Sequence, residues 1–92
     1  EKDAFVAYHY ICKKGESYYN RNGKEVLIGD TQTEPKIKMC EYGLHASITP
    51  QDAKSYRQAN SVLTKVLIWG NVIFGKDKLV ATNRKIIEEI KE

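Results

Sequence analysis

The chain has 92 residues, 41% hydrophobic and 29% charged, with 15 Lys and Arg against 12 Asp and Glu for a formal net charge of +3. This length allows a single domain, residues 1–92, and the composition excludes a disordered chain. The basic excess is small and interspersed, so nucleic acid is not an expected partner, and the longest apolar run, Val66-Leu67-Ile68-Trp69, is too short to cross a bilayer.

Ala4 to Ile11 predicts a strand, because Phe5, Val6, Tyr8, Tyr10 and Ile11 are aromatic or β-branched and suit a pleated surface. Lys13-Lys14-Gly15 closes it, and Ser17-Tyr18-Tyr19 reads as a short extended piece. Asn22-Gly23 is a hairpin turn signal, with Glu25-Val26-Leu27-Ile28 as the returning arm. Gly29-Asp30 breaks that arm, and Thr31 to Glu34 reads as loop. Pro35 to Met39 alternates Ile37 and Met39 with lysines, the pattern of a half-buried edge strand whose first residue tolerates proline.

Gly43 to Ser47 reads as a short buried strand. Thr49 is a good N-cap, Pro50 fits the first helical position and Asp52 supplies a capping carboxylate, so a helix is expected through Ala53 and Tyr56 toward Ala59. Val62 to Trp69 is the most strand-like run, with Val62, Thr64, Val66 and Ile68 on one face and Leu63, Leu67 and Trp69 on the other. Gly70-Asn71 reads as a turn, Val72-Ile73-Phe74 as a short strand, and Gly75-Lys76-Asp77 as another turn. Leu79-Val80-Ala81-Thr82 begins a final strand. Ile86, Ile87 and Ile90 either continue that strand or form a helix, and their spacing favours a short C-terminal helix from Glu88 onward. The expected fold is a small α+β domain: a mostly antiparallel sheet with one central helix and a short terminal one.

Chemistry-bearing residues concentrate in Cys40-Glu41-Tyr42-Gly43-Leu44-His45-Ala46-Ser47, which holds a thiol, a carboxylate, a phenol, an imidazole and a hydroxyl within eight residues. His45 either serves a site or bonds a neighbouring carbonyl within a sheet. The second histidine, His9, lies between Tyr8 and Tyr10, and strand alternation sends His9 to one face and the tyrosines to the other. Either set faces inward. The six tyrosines give contact area with a polar tip, although Tyr10 and Tyr56 also fit a half-buried core role. Cys12 and Cys40 lack CxxC spacing and read as reduced thiols. No paired-histidine spacing supports a metal, Cys-His nucleophilic pairing has no orienting third group, and no glycine-rich phosphate loop is present. The candidate ligand-binding set is therefore His9, Tyr10, Gly43, His45 and Tyr56, with no metal, no cofactor and no membrane partner expected. No charged-then-apolar leader is read in the first residues, which sets the expectation of a cytoplasmic protein.

The run from Cys40 to Ser47, followed by Pro50, Asp52-Ala53, Tyr56, Val62 to Val66, Gly70 and Lys78 to Thr82, resembles a family of small uncharacterised domains of phage and prophage genomes. Their core reads Cys-Glu-Arg-Gly-(Phe/Leu)-His-Ala-(Cys/Ser), and Tyr42 stands here where that family has arginine. The resemblance implies a phage protein acting in the host cytoplasm. The order of elements is also similar to ADP-ribosyltransferase-like folds. In that likeness His9 matches the histidine that holds the NAD ribose. Gly43 to Ala46 match the second conserved strand, His45 lies near a position that often carries tyrosine, and Tyr56 falls on the following helix. The catalytic glutamate of that fold has no clear counterpart, Glu88 being placed too loosely. The leading expectation is a small phage-derived binding module that holds a small, nucleotide-like ligand or a host protein at a His/Tyr cleft. The alternatives are a minimal NAD- or nucleotide-handling enzyme, and an assembly subunit that uses the Pro35 to Met39 edge.

Overall fold

The computed structural model describes residues 3–20, 23–39 and 43–92. Its strands are β1 (Phe5–Lys14), β2 (Ser17–Tyr19), β3 (Glu25–Val26), β4 (Thr31–Thr33), β5 (Leu44–Ala46), β6 (Ser61–Phe74) and β7 (Leu79–Glu89), with one helix, α1 (Pro50–Lys54), between β5 and β6. The strand order is β3-β2-β1-β6-β7-β4, and β5 also pairs with β7. The pairings between these strands are all antiparallel. The fold is thus a seven-stranded antiparallel sheet with one short helix, nearer all-β than the expected α+β.

The sheet curls until its edges meet. β4 and β5 lie end to end along one edge of β7. β5 also reaches β1, where Tyr8 N donates to Ser47 O at 2.7 Å and Ser47 N donates to Tyr8 O at 2.7 Å. A second clasp pins the chain after β3 to β7: Gly29 N donates to Ile86 O at 2.7 Å and Ile86 N to Asp30 O at 3.1 Å. Inside the curl, Ala7, Ile11, Val66, Ile68, Leu79 and Ile86 form the main core. Ile68, Leu79 and Ile86 are 1% exposed or less, and each contributes about 2–3 kcal/mol by leaving water. A smaller cluster of Tyr10, Ala53 and Leu63, with Tyr8 and Ile90 against it, lies under the helix. Alternation along β1 explains the division: Ala7 and Ile11 go to the main core, Tyr8 and Tyr10 to the helix side. Both faces of this strand are covered, which resolves the question of which set turns inward.

Thr49 caps α1 as expected: its hydroxyl accepts from Asp52 N at 3.1 Å, and Pro50 follows it. The helix stops at Lys54 rather than running through Tyr56, because Ala53 alone among its residues is buried. The chain then continues in tight turns, with Tyr56 N donating to Ala53 O and Arg57 N to Lys54 O. Thr31–Thr33, expected as loop, forms β4, because β7 offers it a ladder from Asn83 to Lys85. Pro35 to Met39, expected as an edge strand, belongs to no strand. Gly70-Asn71 is a bulge inside β6 rather than a turn. The register slips between Trp69 and Val72, Gly70 adopts φ +88°, and Asn71 N bonds the Thr82 hydroxyl at 3.0 Å instead of a backbone carbonyl. The expected C-terminal helix is also absent: β7 runs to Glu89, paired with β6 as far as Thr64. The Asn22-Gly23 turn falls partly outside the described residues, yet Asn20 N donates to Lys24 O at 2.8 Å and closes the expected hairpin. No helix is long and apolar enough to cross a membrane among the described residues.

Candidate functional site

Where the two edges of the curled sheet part, the wall has a window. β1 bonds β5 only at Tyr8 and meets β2 only from Cys12 onward, so residues 9–11 border a gap. The gap opens a concavity of about 980 Å³, lined by β1, by the β2–β3 hairpin, by β4, by residues 43–45 and by the coil that follows α1. All five sequence-predicted residues, His9, Tyr10, Gly43, His45 and Tyr56, line it. Cys40, Glu41 and Tyr42 of the same motif lie outside the described residues.

Each member is placed differently. His9 and His45 are both half-buried. His9 lies on a strand whose carbonyl at that residue accepts the Thr64 hydroxyl at 2.5 Å, and His45 sits opposite Val80 in the β5–β7 ladder. Gly43 turns the chain into β5 at φ +103°, and a Cβ there would collide with methyl groups of Val80 and Ile37. Glycine is therefore demanded both by backbone sign and by close packing. Tyr10 lines the window but is 7% exposed, and its hydroxyl donates to Glu92 Oε2 at 2.9 Å. Burial, then the Glu92 carboxylate, raises the Tyr10 pKa above its ordinary value. Tyr10 thus belongs more to the fold than to a ligand. Tyr56 is exposed, donates to Asp77 Oδ1 at 2.5 Å, and carries Lys78 Nζ 5.2 Å from its ring centroid.

One residue of the site is not evident in the sequence. Arg84, which reads there as part of a local basic spot with Lys85, is 4% exposed and lines the concavity. Its Nη1 donates to the His45 carbonyl at 2.6 Å, while Nε and Nη2 both donate to Gln32 Oε1, at 3.1 and 2.8 Å. Gln32 is its register partner on β4, and Gln32 Nε2 continues to Asn20 Oδ1 at 2.6 Å. This chain of bonds crosses the window from β5 through β7 and β4 to the β2–β3 hairpin. Burial pushes the guanidinium pKa down to about 10, and no carboxylate pairs with it among the described residues. The signal that could have revealed it is strand alternation. In a strand that runs on to Glu89, Arg84 shares a face with Val80, Thr82 and Ile86.

Cys12 is a free thiol, and Cys40 lies outside the described residues. Among the described residues no group of three His, Cys, Asp or Glu side chains could hold a metal ion. The concavity thus brings together two imidazoles, a guanidinium, an exposed phenol and a glycine turn. Comparison with family models, with curated proteins and with solved structures finds no match to this chain.

Proposed function

We propose that this domain is a small binding module that takes a small, nucleotide-like ligand through the window between β1 and β5. One observation carries the reading: His9, Tyr56 and the Gly43–His45 turn come from three separate parts of the chain and line a single concavity of about 980 Å³. That volume suits a drug-sized or nucleotide-sized molecule. His9 and His45 set two half-buried imidazoles on that wall, and Tyr56 adds an exposed phenol ring with Lys78 against it. A phage origin rests on the sequence resemblance around Cys40 to Ser47. The transferase alternative draws no support from Glu88, which is exposed on β7 and does not line the concavity. The assembly alternative loses its named edge, since Pro35 to Met39 is not a strand.

Titration of the labelled protein with AMP, following the imidazole resonances of His9 and His45, tests the proposal. Both histidines are expected to shift together on one saturable curve. His45→Ala, checked to be folded by its amide spectrum, is expected to weaken binding about tenfold, the size of one lost hydrogen bond to a bound group. Histidines unmoved by millimolar AMP, or full binding by folded His45→Ala, would sink the reading.

A further inference from the structure

We infer that the window binds an oxyanion, the phosphate or carboxylate group of its ligand, directly on Arg84. The inference rests on the ligand-site reading above and adds the charge that the ligand must carry.

The first argument is uncompensated charge. A buried guanidinium is costly unless an anion meets it, because water is lost and neutral carbonyls return only part of that loss. Arg84 is 4% exposed, and its three hydrogen bonds go to an amide oxygen and a backbone carbonyl, both neutral. Around it the concavity carries Lys24, Lys36 and Lys78 against Glu25, Asp30 and Glu34. Among the described lining residues these charges are equal in number, and Arg84 is the one cation there that is buried.

The second argument is donor geometry. A guanidinium has five N–H donors in a fixed plane. Gln32 takes one from Nε and one from Nη2, and His45 takes one from Nη1. One hydrogen on Nη1 and one on Nη2 are left undirected by the described residues. Both can be donated to the oxygens of an oxyanion, the charge-assisted bond a guanidinium is built to make. The guanidinium is also held still. Gln32 is itself bonded to Asn20, and His45 is held in β5 by its pairing with β7. An arginine serving only to tie strands together would not need to line an open concavity, but Arg84 does.

The test uses inorganic phosphate and acetate as probes, each at millimolar concentration and at ionic strength matched with sodium chloride. In the labelled wild-type protein the Arg84 Nε–H resonance is expected to shift saturably with at least one probe and to stay still with chloride. Whichever probe saturates it names the source, phosphate or carboxylate. AMP is expected to bind about tenfold or more tightly than adenosine, as a charge-assisted pair implies, and Arg84→Gln is expected to abolish that preference. An Arg84 resonance that no probe moves, or that chloride moves equally, overturns the inference. So does an AMP preference that survives in folded Arg84→Gln. Should that variant fail to fold, the wild-type Nε–H titration decides alone. If adenosine shifts His9 and His45 while neither anion touches Arg84, the ligand site stands and this inference falls. If phosphate saturates Arg84 while no nucleoside or nucleotide moves the histidines, this inference stands and the nucleotide-like reading falls.

Discussion

Gly43 carries two separate demands, and they predict different penalties at different glycines. Its φ of +103° disfavours any side chain, and a Cβ would also meet Val80 and Ile37. Gly15 has φ +61° with open space around it. Gly15→Ala is therefore expected to cost about 1 kcal/mol from backbone strain alone. Gly43→Ala should cost about 3 kcal/mol, because local strain is joined by overpacking. Urea unfolding of the two variants measures the difference, and equal costs would refute the packing claim. Glu89 gives a second prediction at a single side chain. Its Oε1 accepts from Lys13 Nζ and from Tyr18 Oη, each at 2.8 Å. The Lys13 bond, followed by the Tyr18 bond, holds the Glu89 carboxyl below its ordinary pKa of 4.5. A depressed carboxylate stabilises the fold above that ordinary value, and the gain is lost as pH falls through the folded pKa. The bond to Glu89 also raises Lys13 and Tyr18 above their ordinary 10.5 and 10.0. Their contribution is complete below those values and is lost as pH rises through the raised ones. The melting temperature should thus fall on an acid limb below about pH 4.5 and on an alkaline limb above about pH 10. Glu89→Gln should flatten both limbs, and unchanged limbs would show that this cluster does not govern them.

Among the elements, α1 and β7 show what local sequence specifies and what it leaves open. The start of α1 is written in three adjacent residues, Thr49, Pro50 and Asp52, and needs no distant partner. Thr49→Ala is accordingly expected to cost about 1 kcal/mol, read as a lower thermal midpoint, with the helix retained because Ala53 still packs on Tyr10 and Leu63. The end of the helix is not written locally, since it depends on how little of that face finds something to cover. β7 is the opposite case. Ile86, Ile87 and Ile90 fit a helical spacing as well as a strand, and the β6 ladder decides between them. β4 is likewise made by contact: polar Thr31–Thr33 pairs with β7, and Gln32 is drawn to Arg84. The more amphipathic Pro35 to Met39 does not become a strand. The same dependence hid part of the site. The histidines, Gly43 and Tyr56 stand out by residue type, and the concavity includes them all. Gln32 and Arg84 acquire meaning only once β4 and β7 lie side by side.

For the molecule as a unit, the point of closure is narrow. β1 and β5 are joined by one bridge, Tyr8 to Ser47, whereas residues 64–68 of β6 lie between β1 on one side and β7 on the other. Local opening follows contact density, so the amides of Tyr8 and Ser47 should exchange with solvent through a partial opening, well before those of Val66 and Ile68. Equal protection at both places would mean that the curl opens only with global unfolding. Saturation of Arg84 by an anion should slow exchange at His45 and its neighbours, because the site draws together the strands that border the window. Trp69, the only tryptophan in the chain, sits opposite Asn83 where β6 slips register. It does not line the window. Its emission therefore serves as an optical gauge of β6–β7 integrity, read at a place that the window's ligand does not touch.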